Sequence, residues 1–152
     1  MSTHIPKPAE IGQKWFVIDA KDQVLGKLAV AAADILAGKH KPIYTTFLDT
    51  GDHVIVINAA QVALSGKKEK TKFYHHHTGY LGGLKSEAAG DVRKKNPARL
   101  VEEAVKGMLP KTKLGRAMFL KLKVYVGDKH PHQAQKPEAL AIRKPAGTRK
   151  RS

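Results

Sequence analysis

The stretch Trp15-Phe16-Val17-Ile18-Asp19-Ala20 and the later run His53-Val54-Ile55-Val56-Ile57-Asn58-Ala59 decide the fold of this chain. Both are short apolar runs of the length that buried strands have, and the second is rich in β-branched residues. The turn residues Thr50-Gly51-Asp52 come directly before the second run and mark its start. The pattern therefore predicts two central strands of one sheet.

A helical pattern lies between these two runs. Apolar residues recur there at helical spacing, at Leu25, Leu28, Ala29, Ala32, Ile35 and Leu36. Gly38 followed by Lys39 is typical of a helix C-terminus, where glycine adopts the left-handed conformation and a cation favours the dipole. Strand, helix and strand together predict one βαβ unit with parallel strands and a right-handed crossover.

The rest of the chain adds shorter elements. The segment from Lys70 to His77 is predicted to be an edge strand, because its lysines and histidines suit an exposed border, and the glycines after it predict a loop. Asn96-Pro97 predicts a helix start, with asparagine as N-cap and proline at the first helical position. A third helix is predicted from about Thr112, with Leu114, Met118 and Leu122 inward, and the strand Val124-Tyr125-Val126 is expected to close the sheet.

Length and pattern together predict one domain. The chain has 152 residues, which is enough for a substantial core. We expect residues 1–142 to form an α/β domain of three layers, with a mostly parallel sheet of about four strands flanked by helices. Residues 143–152 carry five cations, no carboxylate and almost nothing to bury, so they are predicted to be a basic tail that is disordered when free.

The charge balance points to a polyanionic partner. The chain has 28 Lys and Arg residues against 13 Asp and Glu residues, a formal net charge of +15. A domain this basic repels itself unless an acidic surface neutralises it, so nucleic acid is the first partner to consider and an anionic membrane the second. The membrane fits less well, because no apolar run approaches the roughly 20 residues that a spanning helix needs.

Several functional classes are disfavoured by composition. The chain contains no cysteine, which excludes disulfides, thiol catalysis and the common zinc-finger frameworks. Its first eight residues lack the apolar segment of a signal peptide. A cytoplasmic location is the expectation.

The stretch from Lys72 to Lys85 is the strongest local signal for function. It alternates cationic, aromatic and glycine residues without a single carboxylate. Lysines can neutralise phosphates, aromatic and imidazole rings can stack on unpaired bases, and glycines let the backbone approach an RNA surface closely. RNA binding is therefore predicted for this stretch.

A series of motifs resembles the bacterial large-subunit ribosomal protein L13 family in both order and spacing. The resemblance covers roughly Trp15 to Leu140 and leaves the two ends of the chain outside it. The motifs are Trp15 to Asp19, Leu25-Gly26-Lys27-Leu28-Ala29, Gly38-Lys39-His40-Lys41-Pro42, Asp49-Thr50-Gly51-Asp52, Val56-Ile57-Asn58-Ala59, His77-Thr78-Gly79-Tyr80, Gly82-Gly83-Leu84-Lys85, Val105-Lys106-Gly107-Met108-Leu109-Pro110 and Leu114-Gly115-Arg116-Ala117-Met118.

The resemblance implies a non-catalytic structural constituent of the large ribosomal subunit, with no cofactor and no small-molecule substrate. Such a protein would bind the large ribosomal RNA, contact neighbouring ribosomal proteins and act early in subunit assembly. His75-His76 departs from the family pattern. The resemblance implies RNA contacts at Lys39, His40, Lys41, His77, Thr78, Gly79, Tyr80, Gly82, Gly83, Lys85, Lys111, Lys113, Arg116, Lys129, His130 and His132.

Two other functions fit parts of the sequence. A free regulator of messenger RNA would have the same charge. The residues from Gly79 to Ser86 nearly form a phosphate loop, in which Lys85 would bind nucleotide phosphates and Ser86 would bind magnesium. Leu84 stands where that motif has glycine, and its side chain should crowd the phosphate-binding backbone.

Metal binding and acid–base catalysis are disfavoured. His75 and His77 would share one face of a strand while His76 points away, and the lysines nearby would repel a dication. The carboxylates of Asp19, Asp49 and Asp52 are better explained by a strand end and a turn, where short polar side chains bond to their own backbone.

Overall fold

The strands and helices alternate along most of the chain in the computed structural model, which describes residues 5–142. The strands are β1 (Trp15–Asp19), β2 (His53–Ile57), β3 (Phe73–His77), β4 (Leu84–Ala88), β5 (Leu122–Val124) and β6 (Glu138–Ala139). The helices are α1 (Leu25–Ala37), α2 (Lys68–Thr71), α3 (Ala89–Lys95), α4 (Pro97–Met108) and α5 (Lys113–Leu120). Short 3-10 turns occur at Pro8–Glu10, Ala59–Gln61 and Gln133–Gln135.

The centre of the fold is a parallel sheet of four strands in the order β5-β2-β1-β6. β1 and β2 pair along their whole length, from Trp15 opposite His53 to Asp19 opposite Ile57. The predicted βαβ unit and the predicted fold class, α/β with a mostly parallel sheet flanked by helices, are confirmed. β6 is only two residues long and lies on the outer side of β1.

The core lies between one face of this sheet and the helices. Ile18, Val54 and Val56 are fully buried on that face, and Leu28 and Leu36 of α1 are fully buried against them. Full burial of each such side chain contributes roughly 1.5–3 kcal/mol. α1 also packs against α4 and α5, so these three helices form one layer over the sheet.

The opposite face of the sheet carries aromatic rings. Trp15 stacks on His53, its partner in the β1–β2 register, with ring centroids 4.2 Å apart. The His132 ring also lies against Trp15, with ring centroids 5.1 Å apart. The segment after β5 therefore crosses back over the sheet, and Trp15 is half-buried beneath it.

The predicted helix boundaries follow from local capping. α1 ends at Gly38, which has φ 81° and donates its N–H to the carbonyls of Asp34 and Ile35. The Asn96 side chain accepts a hydrogen bond from the Arg99 N–H at the start of α4. The Thr112 side chain accepts one from the Gly115 N–H at the start of α5.

Three details of the sequence-based prediction were wrong. The strand expected over residues 70–77 does not border the main sheet; β3 pairs with β4 in a separate antiparallel sheet of two strands. Leu84 begins β4 instead of extending a loop, because the chain reverses within the glycine-rich turn. The last strand spans residues 122–124 instead of 124–126, so Leu122 is buried from a strand and not from α5. α2, α3 and β6 were not predicted.

Candidate nucleic-acid interface

The stretch predicted to bind RNA forms a β-hairpin that stands outside the main sheet. β3 and β4 pair from Phe73 opposite Ala88 to His77 opposite Leu84. The Thr78 N–H donates to the Gly83 carbonyl at 3.0 Å, and the Gly83 N–H donates to the Tyr80 carbonyl at 2.9 Å. These two bonds close a compact turn over residues 78–83.

The glycines of this turn have a structural role. Gly79 and Gly82 have φ values of 91° and 70°, a region that other residues adopt at a cost. A Cβ on Gly83 would lie 2.8 Å from the backbone carbonyl oxygen of Tyr80 and also close to Oγ1 of Thr78. These glycines are therefore required for the shape of the turn itself, in addition to any close approach of RNA.

The turn presents its largest side chains to solvent. Tyr80 is 80% exposed and Leu81 is completely exposed. Behind the turn, His76 and Lys85 are paired on one face of the hairpin, and Phe73, His75 and His77 lie on the other. All of these residues are exposed, so rings and a cation are available to a partner on this hairpin.

The base of the hairpin is fixed to the domain by packing and charge. Tyr74 packs on a small core formed by Ala89, Val92 and Leu100. Glu87 of β4 accepts hydrogen bonds from Lys95 and Arg99, each at 3.1 Å.

These ion pairs also change the acidity of the groups involved. The hydrogen bond from Lys95 is the main cause that lowers the pKa of Glu87. The pKa of Arg99 is raised mainly by its hydrogen bond to Glu103. The hairpin is thus attached by charged hydrogen bonds to Lys95 of α3 and Arg99 of α4.

The second predicted segment, Gly38 to Pro42, is occupied by internal contacts. Lys41 Nζ lies 2.6 Å from Oδ1 of Asp52, and His40 Nε2 lies 2.8 Å from its Oδ2. The Asp52 side chain is fully buried. Lys39 is more open, with its Nζ 3.5 Å from Asp34 in an exposed pair. The structure therefore gives Lys41 and His40 a partner within the protein.

The third predicted segment, residues 111–116, comprises the connection before α5 and the first turn of that helix. Lys111, Lys113 and Arg116 are exposed, and within residues 5–142 none of them forms an ion pair with a carboxylate. The beginning of this third segment lies beside the segment Gly38 to Pro42, because Thr112 and Lys39 line the same groove. Two of the four predicted segments thus lie on one surface.

The fourth predicted segment, Gly127 to His132, packs over the sheet. The Tyr125 hydroxyl and His132 Nε2 are hydrogen-bonded at 2.8 Å, and His132 also lies against Trp15. Lys129 is exposed, whereas Nδ1 of His130 is buried and has no hydrogen-bond partner within the described residues. Of the three predicted contacts here, the structure exposes the lysine and partly covers the two histidines.

Sequence reasoning missed Lys106 of α4. Its Nζ lies 6.0 Å from the centre of the Phe119 ring, and it lines a pocket together with Lys111 and Arg116. Lys106 does lie in the motif Val105 to Pro110. That motif supported the resemblance to the family, but no RNA contact was predicted within it.

The phosphate-loop alternative lacks the geometry that it needs. A phosphate loop runs from a strand into a helix N-terminus, whereas residues 79–86 form a hairpin turn that runs into β4. Within residues 5–142, no group of three or more His, Asp or Glu side chains could hold a metal ion. Asp19 accepts hydrogen bonds from Asn58 Nδ2 and the Lys21 N–H, both at 2.9 Å. The Asn58 bond is the main cause that lowers the pKa of Asp19.

Comparison with known proteins decides the family. The sequence model of the family described as "Ribosomal protein L13" matches residues 13–131. The chain belongs to the ribosomal protein L13 family.

Individual relatives in the L13 family match the chain over almost its whole length. "Large ribosomal subunit protein uL13" of Rhodococcus opacus (strain B4) is 56% identical over 146 residues, which cover 96% of this chain and 99% of the relative. The protein of the same name from Solibacter usitatus (strain Ellin6076) is 56% identical over 143 residues, covering 94% of this chain and 100% of the relative. The one from Latilactobacillus sakei subsp. sakei (strain 23K) is 54% identical over 141 residues, covering 93% and 96%.

These matches confirm the resemblance seen in the sequence motifs. Membership of the L13 family makes the chain a ribosomal protein and not an enzyme, as the sequence predicted. No helix within residues 5–142 is long and apolar enough to cross a membrane.

Proposed function

We propose that this protein is a structural constituent of the large ribosomal subunit in the cytoplasm, where it binds the large ribosomal RNA and contacts neighbouring ribosomal proteins. The observation that carries the RNA-binding part is a set of exposed cations without carboxylate partners among the described residues, at the hairpin and at the connection into α5. The names of the relatives support the location.

The mechanism we propose is architectural. Phosphates of RNA segments that are distant in sequence repel one another when they pack closely, and cations held between them reduce this repulsion. Lys85, Lys111, Lys113, Arg116 and Lys129 are exposed and available for this. Their placement on a rigid domain would hold the RNA segments in one arrangement, which suits a role early in subunit assembly.

The remaining predicted contacts would act differently. Tyr80 is exposed at the hairpin tip and could stack on an unpaired base, with Gly79, Gly82 and Gly83 fixing the turn and Thr78 bonded within it. Lys41, His40 and His132 have internal partners. We propose that these three residues position the segments that carry them and add little free charge to the interface.

The tail predicted at residues 143–152 lies outside the described residues. We retain the division into one domain, residues 1–142, and a basic tail as a proposal based on the sequence. Five cations in ten residues would raise the affinity for any RNA, because phosphate neutralisation does not depend on sequence.

Sedimentation of a cell extract tests the function. A tagged copy of the chain should be found almost wholly in the large-subunit fraction and should stay there through a wash at moderate salt. A free regulator of messenger RNA would remain mostly outside that fraction, and this distribution would overturn the proposal.

A further inference from the structure

A pocket of about 370 Å³ lies between the end of α4 and α5. Its apolar lining includes Leu109, which is buried, Phe119, which is half-buried, and Leu120, which is 72% exposed. Pro110 of the connection forms part of the wall. The volume is within the range of small-ligand sites, and the pocket opens to solvent beside exposed apolar surface.

The charged groups around this pocket all have the same sign. Lys106, Lys111 and Arg116 line it, and each belongs to a different element: α4, the connection and α5. No carboxylate lines it, and within the described chain none of the three cations has a carboxylate partner. Other cations of the domain, such as Arg93 and Arg99, are paired with glutamates. An anionic ligand with an apolar portion therefore fits this site.

We propose that the pocket receives one unpaired base of the ribosomal RNA, extruded from its helix, while the three cations bind the phosphates that flank it. This proposal rests on the proposed function and adds a specific subsite to it. The base would lie against the Phe119 ring and the aliphatic lining, since every base has a face that stacks on aromatic side chains.

The lining favours RNA over an acidic peptide. The polar side chains that line the pocket are lysine and arginine, which only donate hydrogen bonds and therefore match phosphate oxygens. The carboxylates of an acidic peptide could accept from the same cations. A peptide backbone has no flat face to stack on the Phe119 ring, whereas every base has one, so the nucleotide is the better match.

Site-specific photocrosslinking tests the proposal in assembled subunits. Leu120 is replaced by benzoylphenylalanine in the full chain, and purified large subunits are irradiated. Ile5, 61% exposed and outside the pocket, carries the same probe as a control for exposure alone. We expect an adduct on an unpaired nucleotide, formed by insertion into a C–H bond of its ribose beside the pocket, well above the yield at Ile5.

Each other outcome has a defined meaning. An adduct on a ribosomal protein, on a nucleotide within a paired helix, or at no more than the Ile5 yield would overturn the base pocket. If either probe variant does not enter the large subunit although the unmodified chain does, the binding titrations of Phe119→Leu decide the proposal. Failure of the unmodified chain to enter it would overturn the proposed function instead.

Binding titrations give a second, independent readout. The Kd for full-length large-subunit RNA transcribed in vitro is measured for Phe119→Leu, which keeps an apolar side chain but removes the ring. We expect affinity to fall about tenfold, in the range measured for loss of a stacked base, with the salt dependence unchanged.

The matched control is Phe47→Leu, because Phe47 is 64% exposed and does not line the pocket. Its affinity should equal that of the unchanged protein. A folded Phe119→Leu variant that binds within twofold of the unchanged protein would contradict the proposal. If this variant does not fold, the crosslink at Leu120 still decides.

Discussion

Lys41 and Asp52 form an ion pair at the amino end of the central sheet, with Nζ 2.6 Å from an oxygen of a carboxylate that is fully buried. The same carboxylate accepts a hydrogen bond from the Lys14 N–H at 2.8 Å and contacts His40. Asp52 therefore joins the lead into β1, the segment after α1 and the start of β2. Asp52, which the sequence places in a turn, thus holds three separate segments of the domain together.

Asp52→Asn should lower the free energy of unfolding by about 3 kcal/mol, because it leaves the Lys41 ammonium next to a neutral group in a mostly buried site. Urea unfolding followed by circular dichroism measures this. The control is Glu138→Gln, which removes an exposed pair with Lys14 at 3.7 Å and should cost less than about 1 kcal/mol. Equal effects of the two substitutions would refute the structural role of Asp52.

Gly115→Ala should destabilise the protein by about 1–3 kcal/mol, the usual cost of overpacking. A Cβ at this position would lie 1.8 Å from the Pro110 carbonyl oxygen, so α5 would have to move. Gly107→Ala is the matched control, since nothing lies within 4 Å of its added Cβ and it sits in α4. That change should be neutral or stabilising by up to about 1 kcal/mol. Thermal melts should show a lower Tm for Gly115→Ala and an unchanged or higher Tm for Gly107→Ala, and an unchanged Tm for Gly115→Ala would contradict the close packing on Pro110.

The stability of the protein should fall as the pH drops below about 6.5, the ordinary pKa of histidine. Burial and the charge of Lys121 lower the pKa of His53 in the folded protein. The unfolded chain therefore binds a proton at a pH where the folded protein does not, and acid favours unfolding. His53→Phe keeps a ring against Trp15 but cannot titrate. Its urea midpoint should fall less between about pH 7.5 and pH 5.5 than that of the unchanged protein.

Lysines with and without carboxylate partners should differ in RNA binding. Lys85→Gln removes an exposed cation that has no ion-pair partner among the described residues, and the logarithmic salt slope of RNA binding should fall by about 0.7–0.9. Lys95→Gln makes the same change of charge beside Glu87, 3.1 Å from Nζ, and should alter the slope much less. Titrations at four salt concentrations would measure both. Equal slopes for the two variants would argue against Lys85 as a phosphate contact.

The hairpin turn and the tail should contribute to RNA binding in different ways. Gly82→Val with Gly83→Val should weaken mainly the complex with ribosomal RNA, because both residues fix the turn that presents Tyr80. Deletion of residues 143–152 should weaken binding to ribosomal RNA and to an unrelated duplex by similar factors. Parallel titrations on the two RNAs, with folded variants, would compare them. Loss of discrimination only on deletion of the tail would reverse this assignment.

The sequence by itself determined the βαβ unit, the starts of α4 and α5, and the family. The apolar run at residues 53–59 buries both faces of β2, and the run at residues 15–20 buries Ile18 and half-buries Trp15, Phe16 and Val17, so both strands can be recognised from consecutive apolar residues. The caps at Asn96 and Thr112 are local, since each side chain bonds to an N–H three residues later. Local and periodic signals of this kind can be read without knowledge of the rest of the fold.

Only the tertiary structure decided which strands pair and which cations are free. β3 and β4 lack a continuous apolar pattern, so their separate pairing depends on the turn and on packing of Tyr74 against α3 and α4. Lys41 and Lys85 are equivalent in composition, yet Lys41 meets a carboxylate from 11 residues away and Lys85 meets none among the described residues. The pocket beside Phe119 likewise exists only because α4 and α5 fold together. A charge or a cavity depends on its neighbours in space, and those neighbours come from the fold.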